Sequence, residues 1–165
     1  MGPVCTIMVG RVDDWVKVSA EKSGALIDPG VMEWAGVAVF KHAHQIYKQR
    51  GYRTRLLSAA FRNHMHWSQI IGGDAVISPP YGWQVKINKS GMVPNPNSIE
   101  EPIEPTILKT LQTLPEFNKM YDVDGLKESE FTNFGATLRT LRGFLQSAND
   151  LEAFVRDVTV PNPDK

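Results

Sequence analysis

The chain has 165 residues, and its 18 Lys+Arg are balanced by 18 Asp+Glu, so the net charge is zero. That length suits one domain with a real core but falls short of the roughly 250 residues of a complete eight-fold strand-helix barrel, and the balanced charge offers no basic face to a nucleic-acid backbone. The single cysteine, Cys5, leaves no internal disulfide to form, and there is neither a leader-like N-terminus nor an apolar run of about 18 residues. The chain therefore reads as soluble and cytoplasmic, without a nucleic-acid or membrane partner.

Pro3-Val4-Cys5-Thr6-Ile7-Met8-Val9 is an apolar run of strand length, with Gly10-Arg11 directly after it. Residues 12–23 follow as a short amphipathic helix with Asp13 and Asp14 in its first turn, and Gly24 ends it. Asp28-Pro29-Gly30 is a helix start, and Met32, Ala35, Val39, Ala43 and Ile46 recur at helical spacing as far as Tyr47. Gly51 closes that helix. Leu56-Leu57-Ser58-Ala59-Ala60-Phe61 is a second strand with Arg62-Asn63 at its end, and Asp74-Ala75-Val76-Ile77-Ser78 is a third, between Gly72-Gly73 and Pro79-Pro80. Short buried strands separated by helices make a parallel sheet, whose chemistry gathers at the carboxyl ends of the strands.

From Tyr81 the character changes. Residues 81–89 read as one more helix, and 91–105 carry enough proline and asparagine to read as an extended loop. Helical segments are expected at 106–114, 115–121, 128–144 and 149–158. Leu138, Leu141, Leu145, Ala148, Leu151 and Val155 form a stripe suited to lie against a sheet or barrel wall. The expected organisation is thus α/β: three parallel strands with helical crossovers over 1–90, a Pro-rich loop over 91–105, a helical extension packing on the sheet over 106–160, and a frayed tail over 161–165.

Arg11 and Arg62 each follow a strand of the same sheet. Two guanidinium forks at one rim suit an anion, phosphate above all; the other reading pairs each arginine with a carboxylate at the sheet edge. His42 and His44 diverge on a helix and do not chelate. His64 and His66 have no carboxylate or cysteine cluster to complete a metal site. The Asp122-Val-Asp124-Gly125 stretch lacks the bidentate acid of a calcium loop. No metal is expected. Cys5, within a strand, reads as a small buried apolar group.

Residues 4–80 resemble the carboxyl-terminal portion of a transaldolase. Thr6-Ile7-Met8-Val9-Gly10-Arg11 with Asp14-Trp15 is similar to that family's Ser-Pro-Phe-Val-Gly-Arg and Asp-Trp segment. Asp28-Pro29-Gly30-Val31, Ile46-Tyr47-Lys48 and Gly51-Tyr52-Arg53-Thr54 resemble the helix and turn that come next. Ser58-Ala59-Ala60-Phe61-Arg62-Asn63 resembles its Gly-Ala-Ser-Phe-Arg-Asn, and Gly73-Asp74 to Pro79 its last strand. The segment after Gly91 matches weakly.

The resemblance implies that the three strands are the sixth, seventh and eighth of a (β/α)8 TIM barrel. It implies that Arg11 and Arg62, with Thr6 and Asn63, bind the phosphate of a sugar phosphate. The family's reaction moves a dihydroxyacetone unit between sugar phosphates through a lysine Schiff base, without a cofactor. Ile7 and Met8 stand where the family has Pro and Phe, and Ala60 lacks the family's hydroxyl. The family's Schiff-base lysine and acid-base carboxylates belong to earlier strands, so this portion is expected to carry no catalytic residue and to be inert alone. Its open sheet edges imply pairing with an amino-terminal barrel part, or self-association. The alternative is a non-catalytic sugar-phosphate-binding or assembly module on the same scaffold.

Overall fold

The computed structural model describes residues 2–164, which form two compact units, the first running to Leu126 and the second beginning at Lys127. In the first unit the element order is β1 (Val4–Met8), α1 (Val9–Ser23), α2 (Pro29–Met32), α3 (Ala35–Arg50), β2 (Arg55–Ala59), α4 (Met65–Ser68), β3 (Val76–Ile77), α5 (Tyr81–Ser90), α6 (Pro105–Gln112) and α7 (Pro115–Tyr121). A 3-10 turn, Ser98–Glu100, interrupts the segment between α5 and α6.

The three strands form one parallel sheet in the order β1-β2-β3, as the sequence implies. Thr6 pairs with Leu57 and Ile7 with Ser58, and Ser58 pairs in turn with Ile77. Because side chains alternate along a strand, Leu56 and Ser58 turn to one face and are buried there, while Arg55, Leu57 and Ala59 turn to the other. On β1 that second face carries Val4, Thr6 and Met8, all exposed. Full burial along these two strands is thus confined to one face of the sheet.

Two apolar clusters build the core. Val9, Phe40, Leu56, Phe61, Trp67, Ile70 and Ile99 join the sheet to α3, α4 and the 3-10 turn. Val16, Ala20, Ala35, Ala38, Leu111, Leu114 and Phe117 join α1 and α3 to α6 and α7. The helices α1 and α3 are therefore sandwiched between the sheet and a second helical layer. They touch closely where Gly36 lies: a Cβ there would stand 2.3 Å from the Val9 carbonyl oxygen.

Several boundaries differ from the sequence reading. Helix α1 starts at Val9, so Gly10 and Arg11 belong to its first turn and not to a loop. The long helix expected from Pro29 is broken at Glu33-Trp34 into α2 and α3, with Asp28 capping α2 by accepting from the Gly30 amide at 2.8 Å. Cys5 is exposed rather than buried, because β1 is an edge strand with β2 as its partner. The Pro-rich segment is no free loop: Ser98 and Ile99 are buried.

Lys41 is what holds that segment down. Its ammonium, on a residue 3 % exposed, donates to the carbonyls of Ser98 (2.7 Å) and Glu101 (2.8 Å), with the Gln69 amide oxygen at 3.4 Å. Burial lowers its pKa, and the nearby Glu101 carboxylate acts in the opposite sense. The Ile99 amide donates to the Ile71 carbonyl, and the Ile71 amide donates to the Ser98 hydroxyl, which completes the attachment.

The second unit consists of a 3-10 stretch, Glu128–Asn133, and one continuous helix, α8 (Gly135–Thr159). The sequence suggested two helices here; Ser147-Ala148 carries no breaker, and the helix runs through. Leu138, Leu141, Leu145, Leu151 and Val155 of the expected stripe are all exposed. Of the expected frayed tail, Lys165 lies outside the described residues. Among the described residues no helix is long and apolar enough to cross a membrane.

Removing the Lys41 ammonium strands two carbonyls under the 3-10 turn. Lys41→Ala is expected to lower the unfolding free energy by about 2 kcal/mol and to free residues 92–104 first. Urea denaturation and hydrogen exchange at Ile99 measure the two effects.

Candidate functional site

At the carboxyl end of β2 the chain turns sharply. Ala60 has φ 62, the only non-glycine residue with positive φ among those described, a conformation that costs an L-residue about 1 kcal/mol or more. The turn aims the Ala60 carbonyl at the first turn of α1. There Gly10 is required: a Cβ on it would meet that carbonyl oxygen at 1.8 Å and the Cγ of Arg62 at 2.8 Å. Gly10 thus lets the amino end of α1, with Arg11 in its first turn, lie against the end of β2 and the Arg62 side chain.

Beneath this surface sits a buried polar cluster. Asp13, fully buried, accepts at Oδ1 from the Gly36 amide in the first turn of α3 (2.7 Å) and at Oδ2 from His66 Nε2 (2.8 Å). The His66 ring is also fully buried, and its Nδ1 accepts from the Arg62 amide at 3.0 Å. An accepting Nδ1 puts the ring proton on Nε2, so His66 donates to the carboxylate. Burial pushes the Asp13 pKa up, against the opposing pull of His66, the Gly36 amide and the more distant Lys17.

Asn63 is drawn into the same cluster. Its amide nitrogen donates to Asp13 Oδ2 (3.3 Å) and to the Glu33 carbonyl (3.2 Å), while its Oδ1 accepts from the Met65 amide (2.9 Å) and starts α4. One network therefore links α1, the α2–α3 junction and the segment after β2. Sequence reasoning singled out Asn63 but gave no role to Asp13 or His66; His64, considered with His66 as a metal ligand, is exposed and outside the cluster. The only available signal was two polar residues at buried helical positions.

Above the cluster, Arg62 and Asp14 form a bidentate pair. Arg62 Nε lies 3.1 Å from Asp14 Oδ1 and Nη2 lies 2.8 Å from Oδ2. Arg62 Nη1 also donates to the Phe61 carbonyl at 3.3 Å. These bonds occupy three of the five guanidinium N–H groups and leave two for another acceptor. The side chain is 39 % exposed, so those two are reachable. Of the two readings of Arg62, the pairing with a carboxylate is what the side chain makes here, and two donors remain.

Arg11 is half-buried in the first turn of α1, and Thr6 lies mid-strand on the exposed face of β1, two residues before Met8 pairs with Ala59. Every described lysine falls on a helix or a loop, none on a strand. Among the described residues no group of three His, Cys, Asp or Glu side chains is placed to hold a metal ion. A hollow of about 440 Å³ lies at the other end of the sheet, lined by His44, Tyr47, Tyr52, Thr54, Asp74 and Glu100 among others.

The family model described as Transaldolase/Fructose-6-phosphate aldolase matches residues 4–145. The chain belongs to this family. Among similar proteins, the transaldolase of Actinobacillus succinogenes is 33% identical over 85 residues, covering 50% of this chain and 25% of that protein. The transaldolase of Actinobacillus pleuropneumoniae serotype 5b is 38% identical over 74 residues, 44% of this chain and 22% of that protein. That of Thermosynechococcus vestitus is 27% identical over 154 residues, 90% of this chain and 35% of that protein. The chain thus spans between about a fifth and about a third of the length of these relatives. No solved structure matches.

Two changes test the construction of the site. Gly10→Ala drives a Cβ into the Ala60 carbonyl and should destabilise the first unit by about 3 kcal/mol. His66→Ala strands a buried carboxylate and should cost about the same. In pH titrations of stability the raised pKa of Asp13 fixes the sign. The stability difference between the native chain and Asp13→Asn should fall as pH rises above 3.8 and level off once Asp13 has ionised in the folded state. Chemical unfolding across pH checks this, and a difference that grows with pH would contradict the burial argument.

Proposed function

We propose that this chain is the carboxyl-terminal part of a transaldolase-type (β/α)8 barrel, with β1, β2 and β3 as its sixth, seventh and eighth strands. It supplies the phosphate-binding rim of an active site that transfers a dihydroxyacetone unit between sugar phosphates. The observation that carries the reading is Arg62, held at the carboxyl end of β2 by Asp14 with two N–H groups left over, in a chain matched by the family over residues 4–145. Active sites of barrel enzymes gather at that end of the strands.

In this reading Arg62 and Arg11 clamp the phosphate, and the amino end of α1 adds its backbone dipole. Thr6 offers a hydroxyl on the face turned toward the barrel interior. Asn63 acts by keeping the Arg62 backbone in place through the Asp13 cluster. The Schiff base forms on a lysine outside these residues, since each described lysine is on a helix or loop, away from the strand ends. No metal or organic cofactor enters the reaction. The exposed edge and face of β1 pair with the preceding barrel strands, and the work is done in the cytoplasm.

Two measurements test it. Calorimetric titration with fructose 6-phosphate should show binding that Arg62→Ala weakens by about tenfold or more, the loss of a charge-assisted bond pair. Borohydride reduction of the chain with the same sugar phosphate should trap no adduct, whereas co-expression with the five upstream strand-helix units of a transaldolase should restore one. An adduct on the chain alone overturns the placement of the nucleophile. Binding that is lost in Arg62→Ala but never accompanied by trapping in the paired form favours a non-catalytic binding module.

A further inference from the structure

Helix α8 presents an apolar seam that its own unit does not cover. Read in heptads, Leu141, Ala148 and Val155 recur at one seam position, and Phe144, Leu151 and Val158 at the other, in alternating steps of three and four. This register holds for three heptads of the 25-residue helix. No residue of α8 is buried; Leu141, Phe144, Leu151, Val155 and Val158 are each more than half exposed, the last at 66%. An exposed apolar stripe of that length on a helix calls for a partner.

Charge along α8 says what kind. The half from Gly135 to Gln146 carries Arg139 and Arg142 and no acid, whereas the half from Ser147 to Thr159 carries Asp150, Glu152 and Asp157 against Arg156 alone. A parallel copy would set like charge beside like. An antiparallel copy sets each basic half beside an acidic one and also opposes the two helix dipoles.

The side-chain sizes agree with the antiparallel arrangement. With the two-fold axis midway between Ala148 and Leu151, the seam layers pair Leu141 with Val158, Phe144 with Val155 and Ala148 with Leu151, and then repeat in reverse. Each layer joins a larger side chain to a smaller one, which keeps the layers even. Such an interface is isologous, closing at two subunits.

We propose that α8 pairs antiparallel with α8 of a second copy of this chain. The family match ends at residue 145, so four of the six seam residues lie beyond what that match covers, and the pairing does not depend on the sugar-phosphate site.

The test uses the full chain. Sedimentation equilibrium should give twice the 18.4 kDa of one chain, and Leu151→Glu should return it to a single mass. In a Cys5→Ser background, a mixture of Leu141→Cys and Val158→Cys chains should form at least about tenfold more disulfide-linked dimer under mild oxidation than either variant alone, because only a crossed pair shares a layer. Efficient linkage of Leu141→Cys with itself would overturn the antiparallel arrangement. A monomer at all concentrations, or a dimer that survives Leu151→Glu and links in no combination, would overturn the pairing itself.

Discussion

The buried contact between Asp13 and His66 is the interaction on which the rest of the carboxyl rim depends. It joins α1 to the segment after β2, and through the Gly36 amide it takes in the start of α3. A helix leaves its first amides without intrahelical partners, and α3 begins inside the protein, where water does not serve them. Asp13, supplied by another helix, satisfies one of these and places negative charge at the positive end of α3. Burial nonetheless dominates its ionisation and holds its pKa high.

That arrangement sets the geometry above it. The His66 ring accepts from the Arg62 amide, so the backbone of Arg62 is positioned from below while Asp14 positions its guanidinium from the side. Ala60 bears backbone strain at the same turn, and Gly10 makes room for it. A strained residue, a glycine that tolerates no Cβ and a fully bonded buried pair within one turn of chain fix an arginine that still has donors to spare. Pre-organisation of this sort is what lets a guanidinium recognise a phosphate without first being ordered.

The parts of this that were legible in the sequence are those with local signatures. Apolar runs ending in Arg11 and Arg62 marked strands and the rim, and spacing marked the helices. The Asp13–His66 contact spans 53 positions, and no periodicity announces a pair so far apart. Gly10 read only as the residue that follows the first strand; the reason for a glycine there is the approach of the Ala60 carbonyl, a tertiary fact. Nothing local marks Lys41 as special, yet it is buried beneath the turn at Ser98, and the Ser98 and Glu101 carbonyls that accept from it lie 57 and 60 positions away. Cys5 went the other way: an apolar strand implies burial only when the strand has neighbours on both sides, and β1 is an edge.

The exposed side of β1 and the seam of α8 pose the same physical question with different answers. An edge strand with unpaired backbone groups and exposed Val4 and Met8 invites addition of a further strand, and its open face lacks the layer that a closed barrel would supply from its other strands. Backbone pairing of that kind depends little on side-chain identity. The α8 seam depends on it entirely: moving the register by one residue would put Glu152 and Arg142 into the core. Edge and seam are consequently separable by mutation, and completing the sheet need not disturb a helix pair whose specificity resides in its own layers.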